Sequence, residues 1–411
     1  MEGIIQVSRL LIYDTSDFTE FPIGGQLTSI RNFLRYICEV HPDRAESIVL
    51  VGVTRTAEEV GKWKEISCFG CTLSFLPVAA AQEDLGNTSK SLRLMYAKGL
   101  LRYGRMLKLR SRDCNYIHTP EAYGILRMLN FRTPCVIFSH GSYFNMEKGF
   151  RFFQKNLLVK KGFVQYLKWL LRTADLILLL DKESRKDYEG YNKNLFQVGN
   201  SVVCPVLPEG HRRLQDGKIR ELLFAGRLSK DKRVEPIIQA VLLAAEQAHT
   251  KEESPGLHLT IAGSGEEYQH LISYEGEWVH FVGAVPPSEV QNYMQRADVL
   301  VMNSSFEGIP MTILEAISLG LPVITTNVGG IGEVLRFGED SEETDGTPEG
   351  ILAAVRRIES HYETYSRNAY ENSKAYDYRQ VNGRVLQQLN MYWKVPGHRA
   401  EKKKGFPDRR S

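Results

Sequence analysis

Short apolar runs bounded by Gly, Pro, Asn and charged residues recur through the first half of the chain, at 9–13, 47–53, 72–76, 135–139 and 176–180. Runs of that length suit strands buried on both faces, and the polar-apolar stretches between them are long enough for helices. The pattern predicts an α/β domain with a mostly parallel sheet covered by helices. Near Gly199 it loosens into SVVCPVLPEGHRRLQDGK, rich in Pro, Gly and charge, which reads as a linker over 204–219. A second alternating series begins at Glu221 and runs to about Glu359. A last helix, 378–393, places Val381, Val385, Leu386, Leu389 and Trp393 on one side. From Pro396 onward no apolar period remains, and a disordered basic tail over 395–411 is expected. The chain of 411 residues is too long for one core and divides into domains at 1–203 and 220–376, followed by a returning segment at 377–394.

Composition narrows the class. Apolar residues make up 43% and charged residues 25%, which excludes a disordered chain and fits a globular one. No apolar run approaches the roughly 18 residues of a spanning helix. The first residues, MEGIIQVSRLLIYD, carry an early acid and too short an apolar stretch for a signal peptide, so a cytoplasmic protein is expected. Of six cysteines only Cys68 and Cys71 form a CxxC spacing, and a zinc site would lack its other ligands. Buried thiols are the expectation instead.

Charge is uneven. Residues 1–200 hold 28 Lys/Arg against 20 Asp/Glu, and the remainder 24 against 29, so the first half attracts an anionic surface or ligand. Eight bases and no acid fall in 90–112, beginning at Lys90 and ending at Arg112. On a helical wheel Leu92, Tyr96, Leu100, Tyr103 and Leu107 share one side, with Lys98, Arg102, Arg105, Lys108 and Arg112 mainly opposite. The stretch 151–172 mixes Phe152, Phe153, Trp169 and leucines with Arg151, Arg172 and four lysines. Such helices can lie on an anionic bilayer, and a solvated helix face is the competing reading. No nucleic-acid-binding motif accompanies the charge.

The chemistry concentrates in NSSFEGIPMTILEAISLGLPV. A strand at 298–302 ends in Asn303, Ser304 and Ser305, Pro310 takes a first helical position, and Gly320 closes the helix. The free N–H groups at that helix start favour a phosphate. Glu307 sits just outside the helix and Glu315 inside it, and each carboxylate has two acceptor oxygens for a vicinal diol. By themselves they also read as a cap and a solvated acid. Upstream, a strand runs into Gly226 and Arg227 and then a loop with Lys230, Lys232 and Arg233. At a strand's carboxyl end Arg227 can fork onto a phosphate and Lys232 can act as a point charge, unless both are ordinary exposed cations.

The ordered blocks GRLSKDK, LTIAGSGEE, VHFVGAVP and ADVLVMNSSFEGIPMTILEAISLGLPVITTNVGGIGEVL resemble the retaining, sugar-nucleotide-dependent glycosyltransferases of the family-4 kind. The resemblance implies two facing Rossmann-like domains of the GT-B type, with the last helix crossing back onto the first domain. It implies a nucleotide-diphosphate-sugar donor and a glycan or lipid-linked acceptor, with Glu315 holding the ribose and Glu307 the donor sugar. His140, which ends the strand in TPCVIFSHG, matches the family's active-site histidine, and His118 at the end of an earlier strand is a weaker candidate. Arg227 and Lys232 would neutralise the leaving diphosphate, and Gly24, Gly25, Gly226, Gly263, Val282, Gly308, Ile309, Pro310 and Met311 would line the donor. Gln26 and Leu27 follow the glycine pair where the family's usual glutamate is absent, and a plain tight turn is the alternative for that pair. No Asp-x-Asp motif occurs, so no metal or other cofactor is expected. The rival functions are a catalytically silent sugar-nucleotide binder and an epimerase of the same fold. The acceptor side would work at the cytoplasmic face of a membrane if the basic helices bind one.

Overall fold

The computed structural model describes residues 8–22, 24–81, 92–145, 157–207, 209–249 and 256–393. Lys90, the start of the second basic stretch at 151–156, and the tail at 395–411 lie outside the described residues.

Two parallel sheets form two α/β lobes. The first contains β1 (Leu10–Tyr13), β2 (Ile48–Thr54), β3 (Lys64–Cys68), β4 (Cys71–Ala80), β5 (Cys114–Ile117), β6 (Cys135–Ser139), β7 (Leu176–Leu179) and β8 (Leu195–Gln197). The second contains β9 (Glu221–Ala225), β10 (His258–Ala262), β11 (Val279–Gly283), β12 (Val299–Met302), β13 (Val323–Thr325) and β14 (Ser341–Glu343). Helices of eight residues or more are α1 (Gly25–Val40), α2 (Leu92–Tyr103), α3 (Glu121–Leu129), α4 (Leu157–Thr173), α5 (Glu235–His249), α6 (Pro287–Arg296), α7 (Met311–Ser318), α8 (Pro348–Ser360), α9 (Tyr362–Ser373) and α10 (Tyr378–Leu389). Every residue of β1, β2, β6, β7 and β12 is buried, which explains why they read as apolar runs; β5 is buried as well but carries Asn115.

The strand orders are β3-β4-β2-β1-β5-β6-β7-β8 and β11-β10-β9-β12-β13-β14. Without the antiparallel β3, each order winds outward in both directions from its own first strand. The switch points therefore fall between β1 and β5 in one lobe and between β9 and β12 in the other. Ligands of such sheets bind outside the carboxyl ends at that point. The segments that carry His118, Arg227 and Glu307 all leave the sheets there.

Two departures from the sequence pattern occur in the first lobe. The strand expected at 72–76 continues to Ala80 through Pro77, because the pairing with β2 shifts register beside Gly52 and tolerates the imino acid. The half-exposed β3 was not expected; its alternating burial is that of an edge strand whose apolar positions face one way. Cys68 and Cys71 lie opposite each other at the turn of this hairpin, and all six cysteines are free thiols.

The last helix, expected to reach 393, ends at Leu389, and a turn carries the chain to Trp393. Its apolar side packs into the first lobe: Tyr378, Val385, Leu386, Leu389 and Trp393 share one buried cluster with Leu10, Ile12 and Phe33. Trp393 Nε1 donates to the Ser8 carbonyl at 3.0 Å, and the Arg44 guanidinium lies 5.3 Å from the ring centre. Residues at the far end of the described chain thus complete the amino-terminal core. Trp393→Ala is expected to cost about 3–5 kcal/mol of first-lobe stability. The check is the urea midpoint of that lobe, which an exposed Trp63→Ala control should leave nearly unchanged.

Candidate active site

The segment from Asn303 to Met311 is held on every side before it presents any chemistry. Buried Asn303 donates through Nδ2 to the carbonyls of Arg233 (3.2 Å) and Gly346 (3.1 Å), while Arg233 Nε donates back to the Asn303 carbonyl at 2.9 Å. Gly330 N–H donates to the Gly308 carbonyl at 3.0 Å. From the first lobe, Asn200 Nδ2 donates to the Ile309 carbonyl at 2.8 Å. A Cβ at Gly329 would stand 1.8 Å from the Glu307 carbonyl, and φ there is +57°, so only glycine allows this approach. Backbone positions are fixed by these bonds, and Glu307 can therefore be aimed.

Glu307 accepts from Ser304 Oγ at 2.7 Å and forms an ion pair with Lys232, both side chains being largely buried. Arg227, at the end of β9, is exposed and faces the same cavity. Pro310 stands one place earlier than expected: it is the N-cap, with ψ at 129°, and α7 starts at Met311. Proline has no side-chain acceptor, so nothing caps the first N–H groups of α7, and they remain directed toward the cavity. Glu315, a turn further in, is pushed up to about 7 by burial.

A cavity of about 600 Å³ joins these groups, a size suited to a small-molecule ligand. Arg227, Lys232, Glu307, Gly308, Ile309, Pro310, Met311 and Glu315 line it, as do Gly226, Gly263 and, from α1 of the first lobe, Gly24 and Gly25. Gly263 has a packing reason as well, since a Cβ there would lie 1.8 Å from the Gly226 carbonyl. Gly25 begins α1 so close to Met311 that a Cβ would come within 2.9 Å of its Cγ. Val282 departs from the expectation: it packs against the second lobe's apolar cluster, and Ala284 and Val285 line the cavity in its place. The strand β11 aims alternate side chains oppositely, and only the loop beyond it turns toward the ligand space.

His140 stands across the cavity, at the end of β6. Its Nε2 is 2.9 Å from Nδ1 of His118, which ends β5. Burial lowers both imidazoles, His140 to about 3 and His118 well below its ordinary value, so the pair is neutral and the N–H of one ring donates to the bare nitrogen of the other. Beside them Gln26 donates to buried Asp14, which also accepts from Thr119 Oγ1 at 3.2 Å. Burial raises the Asp14 carboxyl. The amide oxygen of Gln26 is thereby left for the cleft. A smaller cavity of about 300 Å³ continues from His140 and Glu307 past His118, Arg93, Asp181 and Glu183 to Phe306. Sequence reasoning ranked His118 second and passed over Asp14, Asn200 and Asp181. Each follows the end of a strand or of a strand pairing, and that position was the available signal.

The sequence pattern described as Glycosyl transferases group 1 matches residues 211–375, the part that carries Arg227, Lys232, Glu307 and Glu315. The matched residues lie in the second lobe. Among curated relatives, a glycogen synthase of Mycobacterium tuberculosis is 29% identical over 200 residues, 46% of this chain and 47% of the relative. The putative glycosyltransferase EpsD of Bacillus subtilis is 28% identical over 250 residues, 56% of this chain and 62% of the relative. The chain spans about half the length of the curated relatives it matches. Across both lobes, the fold is that of the GT-B glycosyltransferases. Sucrose-phosphate synthase of Thermosynechococcus elongatus superposes with a TM-score of 0.73 at 15% identity, covering 94% of this chain and all of that one. Anabaena HepE, solved with UDP-glucose, does so with 0.62 at 18% identity, over 93% and 99%.

The raised Glu315 has a consequence for stability. Between its ordinary 4.5 and about 7 the folded protein keeps a proton that the unfolded chain has lost, so stability falls as pH climbs through that window. Glu315→Gln should abolish that share of the loss, about 3 kcal/mol between pH 4 and 8. Urea midpoints of both proteins at the two pH values measure it, and parallel pH profiles would contradict the assignment.

Proposed function

We propose that the protein transfers a glycosyl group from a nucleoside-diphosphate sugar to a hydroxyl of a glycan or lipid-linked acceptor, with retention of anomeric configuration, in cell-surface polysaccharide assembly. One observation carries the reading: Glu307 and Glu315 open into one cavity together with Arg227 and Lys232, with His140 on the facing wall. Solved structures of the same fold include HepE with UDP-glucose and the pneumococcal O-GlcNAc transferase GtfA with UDP and GlcNAc, which supports a nucleotide sugar as donor.

In this reading Glu315 accepts from the ribose hydroxyls and Glu307 from hydroxyls of the donor sugar. Arg227, Lys232 and the uncapped N–H groups of α7 face the diphosphate, where negative charge grows as the glycosidic bond breaks. The acceptor hydroxyl attacks from the face the diphosphate is leaving, and a departing phosphate oxygen takes its proton. His140, neutral at working pH, hydrogen-bonds a hydroxyl of the reacting sugars and orients it; a proton donor near neutrality would need a much higher basicity. The two glutamates contact different parts of one molecule, unlike the paired carboxylates of a glycosidase, which flank a single bond. The smaller cavity beyond His140 offers the acceptor its place.

Arg227→Ala and Lys232→Ala are each expected to lower kcat/KM for transfer by about a hundredfold or more; the thermal midpoint should stay close to wild type for exposed Arg227→Ala and fall for Lys232→Ala, which leaves the Glu307 charge without its buried partner. Release of nucleoside diphosphate should also depend on added acceptor. Full release rates without acceptor, or unimpaired transfer in both variants, would refute the assignment.

A further inference from the structure

Three helices cover one face of the first sheet and present an unusual outer surface. The inner positions of α2, α3 and α4, among them Tyr96, Leu100, Tyr123, Leu126, Leu167 and Leu170, share a single buried cluster with β1 and β6. The helices touch one another in this layer: Tyr166 of α4 donates to the Pro120 carbonyl at 2.6 Å, and Tyr123 of α3 stacks edge-on against Trp169. Their opposite sides must therefore face outward together. On that outer side stand Leu101 at 54% exposure, Met128 at 79%, Phe131 at 71% and Leu158 at 79%. Lys98, Arg102, Arg105, Lys108, Arg132 and Lys161 are exposed among them.

We infer that this layer is a docking surface for an anionic phospholipid bilayer. Residues 92–112, 121–132 and 157–173 hold thirteen Lys/Arg and one acid, Glu121; Arg93, Arg110 and Arg127 are turned onto Glu121, Asp113 and Asp175, and the exposed bases Lys98, Arg102, Arg105, Lys108, Arg132 and Lys161 give the outer side its charge. A protein interface would be depleted of lysine at its core, whereas here bases and large apolar side chains alternate across the whole face. That mixture is what a bilayer surface selects: apolar side chains enter the acyl boundary and the bases meet anionic headgroups. Among the described residues no helix is long and apolar enough to cross a membrane, so attachment is to the surface. The layer also adjoins the cleft, because Arg93 in the first turn of α2 and Pro120 before α3 line the smaller cavity. A lipid-linked acceptor held in the bilayer would reach His140 from that side. The last step alone rests on the proposed glycosyl transfer; binding to lipid does not.

The test is sedimentation of the full chain with vesicles of phosphatidylcholine containing 30% phosphatidylglycerol or none. Pelleting is expected with the anionic vesicles only and should weaken with salt. Leu101→Ser/Met128→Ser/Phe131→Ser should lower partitioning by tenfold or more. Lys98→Glu/Arg102→Glu/Arg105→Glu should lower it by about a hundredfold, at roughly fivefold per base. Both variants should keep the thermal midpoint, since all six positions are exposed. No pelleting at low salt would overturn the inference. So would full pelleting of the apolar variant, which would leave charge alone, or the basic tail, as the cause. Binding of a duplex oligonucleotide as tight as that of the vesicles, unchanged in the apolar variant, would point to nucleic acid instead and overturn it too.

Discussion

The ion pair between Lys232 and Glu307 is the interaction around which the cleft is organised. Neither charge is freely hydrated, so each relies on the other, and on Ser304 for Glu307, to offset the loss of water. The pair joins the loop after β9 to the loop after β12, the two strand ends that flank the second lobe's switch point. Everything that fixes those loops, from the Asn303 and Arg233 bonds to the glycine at 329, serves to hold this pair in place. Under the proposed function it also couples two binding events. A diphosphate that draws Lys232 away leaves Glu307 with open acceptor oxygens beside the sugar, so phosphate recognition prepares sugar recognition.

The lobes are tied together at the same place. Asn200 holds the Ile309 carbonyl, Gly25 rests on Met311, and Glu333 accepts from Lys182 N–H and from Gln197 of the first lobe. The chain then returns through α10 to complete the first core at Trp393. The glutamate side and the histidine side of the cleft are consequently parts of one packed body, even though the sequence pattern assigns them to separate domains. The layer of α2, α3 and α4 packs on one face of the first sheet and adjoins the same cleft at Arg93 and Pro120.

Much of this was legible in the sequence, for identifiable reasons. Fully buried parallel strands are mostly apolar, so β1, β2, β6, β7 and β12 announced themselves, and the glycine and charge pattern of the loops after β9 and β12 marked residues that line the cavity. What stayed hidden depends on tertiary contact. Whether Pro310 caps or begins α7 is decided by ψ at one residue. The pairing of His118 with His140 needs β5 beside β6, and the Asp14–Gln26 contact needs the start of α1 folded over β1. Val282 packs against the apolar cluster because the strand alternates its side chains, and Ala284 and Val285 of the loop beyond line the cavity. The edge strand β3 has too weak an alternation to separate it from a loop.

The central claim is that the two glutamates grip different parts of one donor. Calorimetric titration tests it most directly, using the nucleoside diphosphate and the matching nucleotide sugar that stabilise the wild type most in a thermal-shift panel begun with UDP and UDP-glucose. Glu315→Gln should weaken both ligands by the same factor. Glu307→Gln should leave the nucleoside diphosphate bound no more weakly than in the wild type and erase the extra affinity contributed by the sugar. Equal weakening of both ligands by both substitutions, or a sugar contribution that survives loss of the Glu307 charge, would contradict the account.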